Sequence, residues 1–166
     1  MAINGAPACV FFWDKDGENG AFSNWFDSPF VIDDFAYRHV EQYLMAQKAK
    51  LFHDAERYTA ILRAATPKEC KALGREVTPF IPEQWEAVRF EVAKTALRQK
   101  FLQNPELMNL LLATGDSILA EASPFDKVWG IGLSAHKAAA CPPEQWPGLN
   151  LLGKALMEVR GELRQK

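Results

Sequence analysis

The chain has 166 residues, enough for one domain with a core that needs no disulfide or metal staple. Apolar residues make up 48% and charged residues 24%, with a formal net charge of −2. That profile excludes a disordered chain, and its charge does not advertise nucleic acid. No apolar run approaches the roughly 20 residues needed to cross a bilayer. The N-terminal MAINGAPACVFFWDKDG lacks the basic region of a signal peptide, so a cytoplasmic protein with no membrane partner is expected. Cys9, Cys70 and Cys141 are odd in number, far apart and free of any CxxC spacing, which fits a reducing compartment and no structural zinc.

In chain order, the first expected strand covers Val10 to Trp13. A second, Phe30 to Ile32, pairs with Phe35 to Arg38 across Asp33-Asp34, because Phe35, Tyr37 and His39 alternate with Ala36, Arg38 and Val40. Helices follow over Val40 to Phe52 and Glu56 to Ala64. Thr66-Pro67-Lys68-Glu69 places an N-cap, a first-turn proline and a capping-box glutamate in order, and Gly74 is the expected stop of that helix. A long helix covers Glu83 to Leu102. Lys94, Arg98 and Lys100 read there as a solvated face near a C-terminus, where cations suit the helix dipole. Asn104-Pro105 opens another helix that ends at Gly115, Asp116 to Ala122 is extended, and Asn150 is the expected cap of a last helix with Leu152, Leu156, Met157 and Val159 as its apolar stripe. The expected fold is α+β and helix-rich, a single domain over residues 1–166. Its strands are too few and its helices too consecutive for a doubly wound sheet.

Two places concentrate chemistry. Glu121 to Leu133 (EASPFDKVWGIGL) holds two carboxylates, an indole and two glycines in one short tract: a proton handler, a stacking plate and room for a ligand. In the first helix, Glu41, Met45, Lys48 and Phe52 fall nearly on one line at 100° per residue. The surrounding Tyr43, Leu44, Gln47 and Leu51 are non-ionic, so this helix reads as mostly buried. An acid and an amine there are costly unless paired or functional, and a partly desolvated lysine can act as a nucleophile toward an aldehyde or masked aldehyde. On an exposed helix the same pair would be two snorkelling side chains. Phe22-Ser23-Asn24-Trp25-Phe26 offers ring, hydroxyl and amide to a base or ribose, or is a loop packed down by its own aromatics. Arg75 suits a phosphate, or the last carbonyls of its helix. His39, His53 and His136 show no metal spacing, no P-loop or GxSxG occurs, and Gly130-Ile131-Gly132 is too weak for a dinucleotide site, so no metal or cofactor is expected.

Taken in order, FSNWF (22–26), VEQYLMAQKA (40–49), LGR (73–75), Trp85 with a basic helix ending KF (100–101), LLLATGD (110–116), LAEASPFDKVWGIGL (119–133) and NLLGKALMEVR (150–160) resemble the NADAR, or YbiA-like, family over about nine tenths of the chain. The resemblance implies a helix-rich α+β domain and an N-glycosidase that hydrolyses a ribose C1–N bond. The implied substrates are phosphoribosylamino intermediates of riboflavin synthesis or, alternatively, ADP-ribose on guanine bases, single-stranded DNA then being the carrier. By position, Lys48, Glu41, Asp126 and Glu121 carry over as catalytic. Asn24, Phe22, Ser23, Arg75, Trp129 and Gly130 carry over as substrate-binding. Leu133 to Pro147 departs from the shorter, glycine-rich stretch of some members and leaves the base-selecting rim open. Two routes fit: Asp126 or Glu121 protonates the leaving nitrogen while the other acid steadies an oxocarbenium-like C1, or Lys48 exchanges with a ring-opened imine to a Schiff base, Glu41 shuttling protons. The rivals are a non-catalytic ADP-ribose or nucleotide-binding module and a helix-rich interaction domain.

Overall fold

The computed structural model describes residues 7–166; the start of the expected single domain, residues 1–6, lies outside the described part. The fold is the helix-rich α+β arrangement expected, with seven helices and four short strands among the described residues. The chain gathers into two compact units, residues 24–105 and the two flanking segments up to 23 and from 106 onward.

In the unit of residues 24–105, strands β2 (Phe30–Ile32) and β3 (Phe35–Tyr37) form an antiparallel hairpin in the expected register, Phe30 opposite Tyr37. Asp33 and Asp34 both take positive φ, 49° and 63°, as a tight two-residue turn demands and as aspartate tolerates. Helix α1 (Val40–Leu51) then packs against α2 (Ala55–Arg63), α3 (Pro67–Arg75) and α4 (Pro82–Gln103). Three neighbours leave it no wholly solvated face, so Val40, Gln42, Tyr43, Leu44, Ala46 and Ala49 are all buried.

The caps explain the boundaries. Thr66 accepts from the Glu69 N–H (3.2 Å) and the Glu69 carboxylate accepts from the Ala65 N–H (2.9 Å), a capping box displaced by one residue. Asp54 caps α2 through the Arg57 N–H and also accepts from the Thr78 N–H, so its pKa falls below the usual carboxylate value. His39 caps α1: its Nδ1 accepts from the Gln42 N–H at 3.1 Å.

That cap makes a pH prediction. Burial drives the His39 pKa down to about 4 from 6.5. A proton on Nδ1 would break the cap, so the folded state resists protonation that the unfolded chain accepts. Stability from His39 is therefore fully present above pH ~6.5 and is lost as pH falls toward 4. Denaturant titrations should show a loss of a few kcal/mol over that window. His39→Asn, which keeps a capping acceptor but does not titrate there, should lose much less; equal slopes would remove His39 as the cause.

Two expectations in this unit are corrected. Gly74 does not end α3, which continues through Arg75 to a C-cap at Glu76. Gly74 is buried inside the helix because a Cβ there would meet the Met45 thioether of α1; the glycine serves helix contact rather than termination. The solvated basic face fails at Lys100. That side chain is 0% exposed, its Nζ 5.3 Å from the Phe101 ring centre and 5.8 Å from that of Phe26, and burial pushes its pKa down to about 7.

In the other unit, β1 (Cys9–Phe12) and β4 (Ile118–Glu121) pair in parallel, Cys9 beside Ile118 and Phe12 beside Glu121. Helix α5 (Pro105–Ala113) precedes β4 and ends short of Gly115, whose φ of 61° turns the chain. The short helix α6 (Ala135–Ala139) and a 3-10 turn at Pro143–Gln145 were not expected. Helix α7 (Leu151–Arg164) packs on β4 with Leu152, Leu156, Val159 and Leu163 buried. Asn150 precedes α7 but does not cap it. It sits at φ 53°, and its amide bridges β4 instead, accepting from the Glu121 N–H (3.2 Å) and donating to the Leu119 carbonyl (2.9 Å). A strand edge with unpaired groups outcompeted the helix end for the side chain.

Candidate active site

The candidate residues fall into two groups, one in each unit. On residues 24–105 the group is Asn24, Glu41, Lys48 and Arg75. Glu41 and Lys48 lie two turns apart on α1. The Glu41 side chain is buried and Lys48 is half-buried, its ammonium 4.5 Å from the Phe80 ring centre. Burial pulls the Lys48 pKa below the usual lysine value; the Glu41 carboxylate opposes that and the Arg75 guanidinium reinforces it. Arg75 itself sits exposed in the last turn of α3. Asn24 is 7% exposed, its carbonyl accepts from the Glu41 N–H (3.1 Å), and its side-chain Oδ1 is buried without a hydrogen-bond partner. An amine inclined toward neutrality, an acid, a guanidinium and an unmet acceptor thus share one neighbourhood.

In the other unit, Glu121 ends β4 and Asp126 to Gly130 fold back on it: the Glu121 carbonyl accepts from the Ile131 N–H at 2.9 Å. Asp126 Oδ1 accepts from the N–H groups of Val128 (2.8 Å) and Trp129 (2.9 Å), closing the turn that carries the indole. Trp129 is half-buried, and its carbonyl receives the Leu152 N–H. The glycines have structural work. A Cβ on Gly130 would lie 2.8 Å from the Asp126 carbonyl oxygen and 3.0 Å from that of Glu121, and Gly132 has φ 74°. Phe22 and Ser23 are buried, Phe22 edge-on to Phe12 at 5.9 Å between ring centres.

The turn bonds separate two roles for Asp126. Asp126→Asn keeps an Oδ1 that can accept both amides, whereas Asp126→Ala loses them and should cost about 1–3 kcal/mol. If Asp126 also moves a proton, Asp126→Asn will fall about 10²-fold or more in kcat with little change in denaturation midpoint; unchanged turnover would leave it the turn alone.

Residues 11–164 match the sequence model of the NADAR domain. The chain belongs to the NADAR family. Relatives in the same group include an N-glycosidase of Acanthamoeba polyphaga mimivirus, 45% identical over 149 residues, covering 87% of this chain and 88% of that protein. A riboflavin biosynthesis protein of Vibrio vulnificus is 33% identical over 156 residues, covering 94% of this chain but 39% of that longer protein. Among solved structures, the NMR structure of Escherichia coli YbiA superposes with a TM-score of 0.79 at 32% identity, covering 96% of this chain and 86% of that one. The NADAR match accounts for the helix-rich fold and for the order of motifs along the chain. Among the described residues no group of histidine, cysteine and acidic side chains could hold a metal, and no helix is long and apolar enough to cross a membrane.

Proposed function

We propose that this chain, a hydrolase acting on N-glycosyl bonds, cleaves the ribose C1–N bond of phosphoribosylamino intermediates of riboflavin synthesis, with Lys48 as the attacking amine. The observation that carries this reading is the half-buried Lys48 on α1, its pKa lowered by burial and by Arg75, with Glu41 on the same helix. Relatives named N-glycosidase and riboflavin biosynthesis protein support the reaction class and the substrate.

A ring-opened N-riboside carries at C1 an imine protonated on its nitrogen. The neutral Lys48 amine adds to that carbon, and Glu41 takes the proton from the new ammonium and passes it to the leaving nitrogen. The C1–N bond to the base breaks, leaving a Schiff base between C1 and Nζ. Water then adds at C1, releasing the ribosyl aldehyde and restoring the amine. Arg75 suits the substrate phosphate. The Asn24 Oδ1 supplies an acceptor for a ribose hydroxyl. Glu121 is a second candidate proton handler, for a route through an oxocarbenium-like C1.

Borohydride added during turnover should fix the ribosyl phosphate to Lys48, seen as one modified peptide by mass spectrometry. No adduct, with turnover intact in Lys48→Ala, would sink the Schiff-base route. Run beside it, ADP-ribosylated guanine in single-stranded DNA should be the poorer substrate; preference for it would reassign the substrate. Release of no base from either would favour a binding module.

A further inference from the structure

The unit that carries β1 holds a cavity of about 760 Å³ that no candidate catalytic side chain lines. Phe12 and Phe22, both buried, line it together with Trp13, 48% exposed; Phe22 is the one residue it shares with those that the family resemblance carries over as substrate-binding. Phe125, 85% exposed, braces that indole at 5.9 Å between ring centres, tilted by 49°. The size suits a small molecule and the walls are mainly apolar, as ligand cavities are.

The charged groups of the cavity are all acidic, beside the neutral Asn19, Thr114 and Ser134. Asp14 and Glu18 line it, and no lysine or arginine does. They stand on a tightly held loop. Asp14 Oδ1 accepts from the Asp16 N–H (2.9 Å), the Asp14 carbonyl accepts from the Gly17 N–H (3.0 Å), and the Asn19 amide donates to the Phe11 carbonyl (3.1 Å). A Cβ on Gly20 would strike the Lys15 and Asp14 carbonyl oxygens, so the loop closes to contact distance. Asp14 is thus partly spent on the loop, while Glu18 makes no hydrogen bond or ion pair among the described residues. A planar indole wall with a carboxylate acceptor at the rim selects a flat ring with N–H donors on its edge. Two acids with no cation repel an anionic group such as phosphate.

We propose that this cavity is a binding site for an uncharged aromatic heterocycle bearing an exocyclic amino group, stacked on Trp13 and donating to the Glu18 carboxylate. The site lies within one unit and does not rest on the Lys48 chemistry. Stacking on an aromatic side chain and a hydrogen bond to a charged acceptor are each worth about tenfold in affinity or more.

The test is a titration of the whole ¹⁵N-labelled chain with 2,6-diaminopurine, with unsubstituted purine and with the 5′-monophosphate of diaminopurine riboside, followed by amide shifts. Diaminopurine should saturate and move the amides of Val10 to Asn19. Purine should bind about tenfold more weakly or worse, and the monophosphate more weakly than diaminopurine. Trp13→Ala and Glu18→Gln, both at exposed positions, should each weaken diaminopurine about tenfold with the rest of the spectrum unchanged. Shifts confined elsewhere, equal binding of purine and diaminopurine, tighter binding of the monophosphate, or undiminished binding by Trp13→Ala would each overturn the assignment.

Discussion

Lys48→Ala should lower kcat by about 10³-fold or more, and Lys48→Arg should do the same, since a guanidinium keeps the charge but cannot form the Schiff base. Neither change should unfold the protein. The side chain is half-buried and its one ring contact, to Phe80, is worth on the order of 0.5–1 kcal/mol. Near-normal turnover in either variant would remove Lys48 from the chemistry.

The two charged neighbours give a sharper version of the same experiment. The attacking amine must be neutral, so the rate should rise with pH through the Lys48 pKa, which burial has moved below 10.5. Glu41 favours the ammonium. In Glu41→Gln that support is gone, the Lys48 pKa falls further, and the acidic limb should move to lower pH. Arg75 disfavours the ammonium, so Arg75→Gln should move the limb to higher pH. Glu41→Gln should also lose about 10²-fold in kcat as a proton shuttle. Arg75→Gln, at an exposed position suited to a phosphate, should act mainly on KM. Opposite displacements of one limb are hard to obtain from a loss of fold. Limbs that stay put, or move together, would mean that the limb does not report Lys48.

What the sequence carried into the fold depended on range. Thr66-Pro67 with Glu69, and Asp33-Asp34 between alternating residues, are local signals, and both marked their elements within a residue or two. The burial of α1 was legible because Tyr43, Leu44, Gln47 and Leu51 around the line of Glu41 and Lys48 are non-ionic, which also singled out those two. Long-range pairing left no local mark. Nothing around Cys9 announces a parallel partner at Ile118, and nothing around Lys100 announces that its face of α4 turns inward. Gly74 was misread because a glycine late in a helix has two uses, stop and contact, and only the position of Met45 decides between them. Within the acidic tract, the sequence offered Asp126 and Glu121 as alternative proton donors. The structure spends the Asp126 Oδ1 on two turn amides, a use that becomes visible only once Trp129 has a backbone direction.

Gly153→Ala should be among the most destabilising single changes in this chain. A Cβ at that position falls on the Leu119 carbonyl oxygen and on both side-chain polar atoms of Asn150. Those groups cannot yield cheaply, because Leu119 lies in the middle of β4 and the Asn150 amide is bonded to both Leu119 and the Glu121 N–H. Either α7 lifts from β4, uncovering Leu152 and Leu156, or Asn150 swings away and leaves a strand donor and acceptor unmet. Overpacking of this kind costs about 3 kcal/mol, and an orphaned buried group about 1–3 kcal/mol. At roughly 2–4 °C per kcal/mol for a chain of this size, Tm should fall by about 6–12 °C. Asn150→Ala should fall in the same range, since it removes both bonds and puts alanine at φ 53°. Gly74→Ala is the control. Its Cβ falls on the Met45 Sδ and close to Cγ, side-chain atoms that can shift where backbone cannot, and alanine gains about 1 kcal/mol of helix propensity over glycine, so the net loss should be well below that of Gly153→Ala. Denaturant midpoints for the three variants would separate these cases. A Gly153→Ala chain as stable as the parent would mean that α7 does not press on β4 at this point, and the strand end that carries Glu121 would then lack its support.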